Sequence, residues 1–196
     1  LGGSATIDVK LEKTLTYGGA SLSLGANTLT VSGAGILSNT NPVVLGDQAS
    51  ILKLSGTNTV SGPVSFNAGS IDVDETSALV GDLTLGGSVV IDVAQEKTLT
   101  YDGAAISLGA NTLTVSGGGT LSNANAVELG EGSSVLKLSG TNTISGPLSL
   151  NAGLIDVDGS STLGSDLTLG GSATIDVAQE KTLTYAGTVL SLGANT

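Results

Sequence analysis

The feature that most constrains the fold of this chain is a tandem repeat. The segment LGGSATIDV at Leu1 returns as LGGSVVIDV at Leu85 and as LGGSATIDV at Leu169, which sets a period of 84 residues. A repeat of this kind predicts a solenoid, in which each unit buries its apolar face only by stacking on its neighbours. We therefore expect one continuous solenoid over residues 1–196. Its repeats are residues 1–84, residues 85–168 and a partial third copy at 169–196.

Each repeat divides into four rungs. A tag of Leu followed by Gly or Asn recurs at Leu85, Leu108, Leu129, Leu150 and Leu169, giving rungs of 23, 21, 21 and 19 residues. Every rung holds three short segments in which apolar residues alternate with polar ones, bounded by Gly, Asn and Asp. This pattern is typical of strands with one buried face.

The fold prediction is all-β: a right-handed parallel β-helix, or β-solenoid, with three strands per rung of about 21 residues and four rungs per 84-residue repeat. Right-handed coiling is expected because parallel crossovers strongly favour it. An antiparallel sandwich or a propeller is also compatible with the turn spacing. Neither explains why the same strand types return every fourth rung with their inward residues aligned.

The composition argues against several classes of function. The chain has no His or Cys and a net charge of −11, so it lacks imidazole and thiolate chemistry and disfavours nucleic acid and anionic membrane surfaces. Its charged groups are either repeated with the period or isolated, whereas an enzyme assembles one unique cluster. No apolar run approaches the ~18 residues of a membrane helix. We expect no enzyme activity, no cofactor and no membrane insertion by this segment.

Aspartates form one outward column. The centre of the first strand of successive rungs is predicted to stack as Asp8, Thr30, Lys53, Asp72, Asp92, Thr114, Lys137, Asp156 and Asp176. Two aspartates then become neighbours where repeats meet, and carboxylates ~5 Å apart repel unless a cation compensates. One hypothesis is Ca²⁺ bound by Asp72, Asp74 and Asp92, and again by Asp156, Asp158 and Asp176. The favoured alternative is that Lys53 and Lys137 balance these exposed acids.

Threonines form a second outward file. Thr-x-Thr pairs lie in each TLTY segment, at Thr14 and Thr16, Thr98 and Thr100, and Thr182 and Thr184. A flat face of paired Thr methyls and hydroxyls resembles the ice-binding faces of β-helical antifreeze proteins. The file continues in weaker form at Thr59 with Ser61, Thr120 with Ser122 and Thr143 with Ser145. It is predicted to be interrupted at Ile36, at Ala78 with Val80, and at Gly164. Threonine is also simply a favourable exposed strand residue.

Tyr17, Tyr101 and Tyr185 end the second strand once per repeat. Tyrosine is favoured at interfaces, so these rings could form a spaced strip that contacts a ligand. The alternative, which we favour, is that each ring covers a turn.

Segments such as LGANTLTVSGGGTLSN, LKLSGTNTISG and LTLGGSATIDV resemble the passenger repeats of bacterial autotransporter adhesins and other large repetitive surface proteins. The resemblance extends over the whole chain and is one of repeat style. It implies an extracellular or cell-surface β-helical rod acting as a stalk, adhesin or filament component. A host-cell or matrix ligand is compatible with that role.

The ends of the chain carry a further expectation. The sequence starts at Leu1 without Met and stops at Thr196 inside a copied segment, as a window cut from a longer array would. A solenoid cut between rungs exposes strand edges at both ends. We therefore expect either further repeats of the same chain or self-association, end to end or laterally.

Overall fold

The structure is a computed structural model that describes residues 1–192, and within them the chain forms 27 short strands and no helix. Every third strand lies on the same face, and the pairings within each sheet are parallel. The chain therefore winds in stacked coils of three strands each. The predicted β-solenoid with three strands per rung is confirmed, and right-handed coiling stays a prediction.

The strands lie on three faces of the solenoid. The first sheet contains β1 (Ala5–Val9), β4 (Thr28–Gly33), β7 (Ile51–Leu54), β10 (Ser70–Val73), β13 (Val89–Val93), β16 (Thr112–Gly117), β19 (Val135–Leu138), β22 (Gly153–Val157) and β25 (Ala173–Val177). The second contains β2 (Thr14–Tyr17), β5 (Ile36–Asn39), β8 (Thr59–Ser61), β11 (Ser77–Leu79), β14 (Thr98–Tyr101), β17 (Thr120–Asn123), β20 (Thr143–Ile144), β23 (Ser161–Leu163) and β26 (Leu183–Tyr185).

The third face is built from two sheets. Four strands form one of them: β3 (Leu22–Ser23), β6 (Val43–Leu45), β9 (Val64–Phe66) and β12 (Leu83–Leu85). Five strands form the other: β15 (Ile106–Ser107), β18 (Val127–Leu129), β21 (Leu148–Leu150), β24 (Leu167–Leu169) and β27 (Leu190–Ser191). No ladder joins β12 to β15, so the pairing on this face is interrupted there.

The core is aliphatic because alternate residues of each strand point inward. In β13, Val89, Ile91 and Val93 are buried, whereas Val90 and Asp92 are partly exposed. Each buried Val, Leu or Ile contributes roughly 1.5–3 kcal/mol relative to an exposed side chain. Phe66 and Tyr101 are the aromatic members of the buried core.

Glycines make the corner that follows the first sheet. Gly117 has φ +84°, and a Cβ there would lie 2.0 Å from the carbonyl oxygen of Val93. A Cβ on Gly140 would lie 1.9 Å from the carbonyl oxygen of Gly117. Successive coils therefore touch through backbone at this corner. The buried amide of Asn142 also donates to the carbonyl of Gly117, at 3.2 Å.

Strand register differs between faces. On the third face, the column of paired residues that begins at Ile106 continues through Val127, Leu148 and Leu167. It reaches Leu190, which is the equivalent of Ile106 84 residues later. On the first face, the column from Thr6 runs through Thr30, Lys53 and Asp72 to Asp92, two residues beyond the repeat equivalent Val90. On the second face, the column from Thr14 runs through Ile36, Thr59 and Ala78 to Thr100 rather than Thr98.

This two-residue slip per repeat leaves the core intact. Side chains alternate with a period of two, so a shift of two residues keeps inward residues inward, whereas a shift of one would expose them. The predicted outward column is therefore wrong at two steps. Asp8 pairs with Ser32 rather than Thr30, and Asp92 pairs with Ser116 rather than Thr114.

Candidate functional site

Lysine binds the paired aspartates of the first sheet. Lys53 lies beside Asp72 in the ladder, and its Nζ is 2.6 Å from Asp72 Oδ2 and 2.7 Å from Asp74 Oδ2. The Lys53 side chain is 31% exposed. Hydrogen bonds that the Lys53 ammonium donates to Asp72 and then to Asp74 raise the pKa of Lys53 above its usual 10.5. The ammonium group thus neutralises part of the charge that the IDVD sequence concentrates.

The same cluster returns one repeat later. Lys137 Nζ is 2.7 Å from Asp156 Oδ2 and 2.5 Å from Asp158 Oδ2. The hydrogen bonds that Lys137 donates to these two aspartates also raise its pKa. The compensation of the acids by Lys53 and Lys137, which the sequence favours, is therefore confirmed for Asp72, Asp74, Asp156 and Asp158.

The remaining members of the hypothetical calcium sites are Asp92 and Asp176. Asp72 pairs directly with Asp92, and Asp156 with Asp176, as expected from the sequence. Asp92 accepts a hydrogen bond from the Ser116 hydroxyl on its far side. Within residues 1–192, no group of three or more acidic side chains is arranged to hold a metal ion.

The second sheet carries an uninterrupted threonine ladder. Because of the register slip, the outward residues that stack across five consecutive coils are Thr98, Thr120, Thr143, Thr162 and Thr184. At ~4.8 Å between strands, the ladder is roughly 19 Å long. Gly164, where an interruption was predicted, lies two residues beyond Thr162 and therefore outside this column.

The other predicted threonines lie in less regular columns. Thr14 stacks on Ile36, and Thr16 stacks on Ser38. Thr100 lies between Ala78 and Ser122. Thr182 directly precedes β26, and its N–H lies 3.3 Å from Ser160 Oγ. The sequence placed Thr98, Thr120 and Thr143 in one file, which the pairing confirms. It missed Thr162, whose segment has Gly164 in place of a second Thr or Ser.

Tyr101 is a core residue. It is 1% exposed, and its hydroxyl accepts a hydrogen bond from the backbone N–H of Leu83, at 3.0 Å. Gly103 is required beside it, because a Cβ there would lie 2.5 Å from the phenol oxygen. The hypothesis of a tyrosine strip that contacts ligands is therefore wrong at Tyr101. Tyr185 is 36% exposed and donates to the carbonyl of Val189.

The described surface includes two concave regions. One cavity of 190 Å³ lies in the first coil among inward residues such as Leu15, Leu29 and Leu37, and no acidic or lysine side chain lines it. A shallower groove of 380 Å³ lies between β12 and β15. In the described part of the chain, no helix is long and apolar enough to cross a membrane.

The chain matches no protein-family model, and comparisons with curated proteins and with solved structures also give no match. The β-solenoid is consistent with the repeat style of autotransporter passengers, but the fold alone does not assign a family.

Proposed function

We propose that this chain is a non-enzymatic extracellular structural protein: a rigid β-helical stalk, adhesin or filament component that presents repeated faces. The observation that carries the proposal is the duplication of outward groups. The lysine–aspartate cluster at Lys53 recurs at Lys137 with the same partners and nearly the same distances. Repetition suits a spacer that offers equivalent surfaces along its length.

The architecture supports a rigid spacer. Two sheets run through every described coil, so backbone hydrogen bonds along the axis connect each coil to the next. The turns are held as well. Ser50 and Ser134, both buried, lie in equivalent corners and donate to the carbonyls of Gly25 and Gly109 in the preceding coil. A location at the cell surface or in the extracellular medium belongs to the same proposal.

Distance measurement between spin labels tests rigidity. Ala49 and Ser133 are exposed and one repeat apart, and the chain has no native Cys, so both can be replaced by labelled Cys. Four coils at ~4.8 Å place the backbones of the two sites roughly 19 Å apart along the axis. A narrow distribution consistent with that spacing is expected from pulsed dipolar spectroscopy. A broad distribution would contradict a rigid stalk.

A second candidate function is binding of ice or carbohydrate by the threonine ladder. The observation that favours it is the ladder from Thr98 to Thr184, which aligns five hydroxyls and five methyls at strand spacing. A flat and regular polar face of this kind could match an ordered lattice of water or a polysaccharide surface. The ladder supports this function as an alternative to the stalk.

Ice-affinity partition, thermal hysteresis and a polysaccharide pull-down test the second candidate. T120K and T162K place charges on the ladder and should abolish any binding. S149K is the matched control, because Ser149 is an outward residue of the third face. If the unmodified chain shows no partition into ice, no hysteresis and no polysaccharide binding, this candidate is eliminated. Equal loss in S149K would assign binding to another surface.

A further inference from the structure

The third face is interrupted between the two repeats. Strands β12 and β15 lie in consecutive coils but are not joined by a ladder, whereas the first and second sheets continue through the same junction. We call this interruption the seam and define it by Leu83–Leu85 and Ala104–Ser107. The groove described above lies along it. At the seam the rod is connected by two ladders rather than three.

The hydroxyl of Tyr101 replaces a missing ladder partner. On the third face, strand amides normally donate to a backbone carbonyl of the next coil, as Val64 does to Asp82 at 2.9 Å and Leu148 does to Asp166 at 3.1 Å. Leu83 donates instead to Tyr101 Oη. A buried N–H without a partner is costly, so the phenol stabilises the open arrangement of the seam.

The equivalent junction one repeat later is closed. Leu167, the counterpart of Leu83, pairs with Leu190 and donates to the carbonyl of Val189 at 3.1 Å. Tyr185, the counterpart of Tyr101, donates to that same carbonyl. Two copies of one motif therefore adopt different hydrogen-bonding arrangements in a single molecule.

Two of the positions that differ between the junctions favour strand pairing at the closed one. The seam has Ala104 and Ala105 where the closed junction has Thr188 and Val189, and Thr and Val favour strands more than Ala does. The Thr188 side chain adds an anchor, because its Oγ1 is 2.9 Å from Asp166 Oδ1. At the seam, only the Ala104 amide bonds the corresponding Asp82 carboxylate, at 3.0 Å.

We propose that the seam is a conformational gate in the solenoid. In its open state the Tyr101 hydroxyl caps the Leu83 amide. In its closed state the Ala105 carbonyl accepts the hydrogen bond from the Leu83 amide, and β12 pairs with β15. Because each coil contacts only its neighbours, the open seam is the weakest of the described interfaces and the place where the rod separates first.

Hydrogen exchange of single amides tests the open state. Ile106 and Leu108 donate forward to the carbonyls of Ala126 and Glu128, at 2.9 and 3.0 Å. Between them, the Ser107 amide points back towards β12, since successive amides of a parallel strand alternate in direction. Ser107 is expected to exchange at least about tenfold faster than both neighbours. Equal protection of the three amides would overturn the proposal.

Substitution of residues at the junction tests the gate itself. The variant A104T/A105V carries the residues of the closed junction and should slow Ser107 exchange to the rate of Leu108. The same pair of changes at the equivalent first-coil positions, A20T/S21V, is the control and should leave Ser107 unchanged. Unaltered Ser107 exchange in A104T/A105V would overturn the gate.

A second variant acts on the cap. Y101F removes the hydroxyl that holds the open state while keeping most of the buried ring. The Leu83 amide then gains a partner only by closing onto Ala105, so Ser107 exchange should slow in this variant as well. Faster exchange confined to Leu83, with Ser107 unchanged, would show that the hydroxyl is only a local cap and would contradict the switch.

Discussion

At the scale of single residues, the lysine–aspartate clusters decide how this acidic chain tolerates stacked carboxylates. The ladder forces Asp72 against Asp92, and strand alternation places Asp74 on the same face as Asp72. Lys53 reaches the two carboxylates of its own cluster. Since each lysine side chain is about a third exposed, solvent screening limits each cluster to ~1 kcal/mol.

Alkaline pH should weaken the protein through these lysines. Their folded-state pKa values are raised, so their contribution to stability is complete below 10.5 and is lost as pH rises through the higher folded-state values. Burial raises the pKa of Tyr101 above its usual 10.0. Its deprotonation therefore also lowers the stability of the fold as the pH rises above 10.0. Urea unfolding at several pH values measures this.

The matched variant is K53Q/K137Q, whose free energy of unfolding should be lower by roughly 1–2 kcal/mol at neutral pH. At alkaline pH this variant should show only the loss of stability that Tyr101 causes. An unchanged free energy of unfolding at neutral pH would show that the clusters contribute nothing. An alkaline profile identical to that of the unmodified chain would contradict the assignment of the loss to these lysines.

At the scale of elements, the corners vary in length while the strands keep their alternation. The corner before β13 is LGGS, beginning at Leu85, and the corner before β19 is LGEGSS, beginning at Leu129. The flanking strands alternate in the same way, so both corners are compatible with a buried core. The core therefore tolerates corners of different length.

The glycine corner gives a prediction for one element. G117A should destabilise the chain by about 1–3 kcal/mol, because its φ of +84° is unfavourable for alanine and its Cβ would overlap the Val93 carbonyl. G132A is the control, because nothing lies within 4 Å of a Cβ at Gly132. Thermal or urea unfolding compares the two variants. Equal stability would show that the corner relaxes without cost.

Disulfide trapping tests the register between β13 and β16. D92C/S116C places thiols on directly paired outward residues, and a disulfide should form under mild oxidation. D92C/T114C joins positions two residues out of register, about 8 Å apart between Cα atoms, which exceeds the usual disulfide range. Free-thiol counts separate the two results. A disulfide in the second variant alone would contradict the observed pairing.

Alternation and the rung tags were enough to predict the strands, the three faces and the inward residues. On the third face they also predicted the pairing, since Ile106, Val127 and Leu148 follow the tag spacing. On the first face the predicted pairing failed at two steps, where Asp8 meets Ser32 and Asp92 meets Ser116. On the second face the shift falls where repeats meet, since Ala78 pairs with Thr100 and Thr162 with Thr184. A shift of two residues leaves the alternation unchanged, so it has no sequence signal. The burial of Tyr101 was also missed, because its partner Leu83 belongs to another coil and has no sequence signal.

At the scale of the whole molecule, length follows directly from the number of coils. Each 84-residue repeat adds four coils, or roughly 19 Å at ~4.8 Å per strand. A compact globule would instead grow only slowly in diameter with added residues. This linear growth is the physical basis for a spacer role.

Insertion of one extra copy of residues 85–168 between residues 168 and 169 tests this growth. The maximum dimension measured by small-angle scattering should increase by about 19 Å, with an unchanged cross-section. Deletion of residues 85–168 is the reciprocal variant and should shorten the particle by a similar amount. An increase in cross-section instead of length would show that the added repeat does not stack.

The two-residue slip means that the sequence period and the spatial pattern of two faces are out of phase. At ~3.3 Å per residue, equivalent side chains of successive repeats are displaced sideways by about 7 Å on the first and second faces. On the third face they remain aligned along the ladder from Ile106 to Leu190. A straight, stiff partner lying along the rod could therefore meet identical side chains in every repeat only on the third face. A partner that binds either of the other faces repeatedly must follow an oblique path.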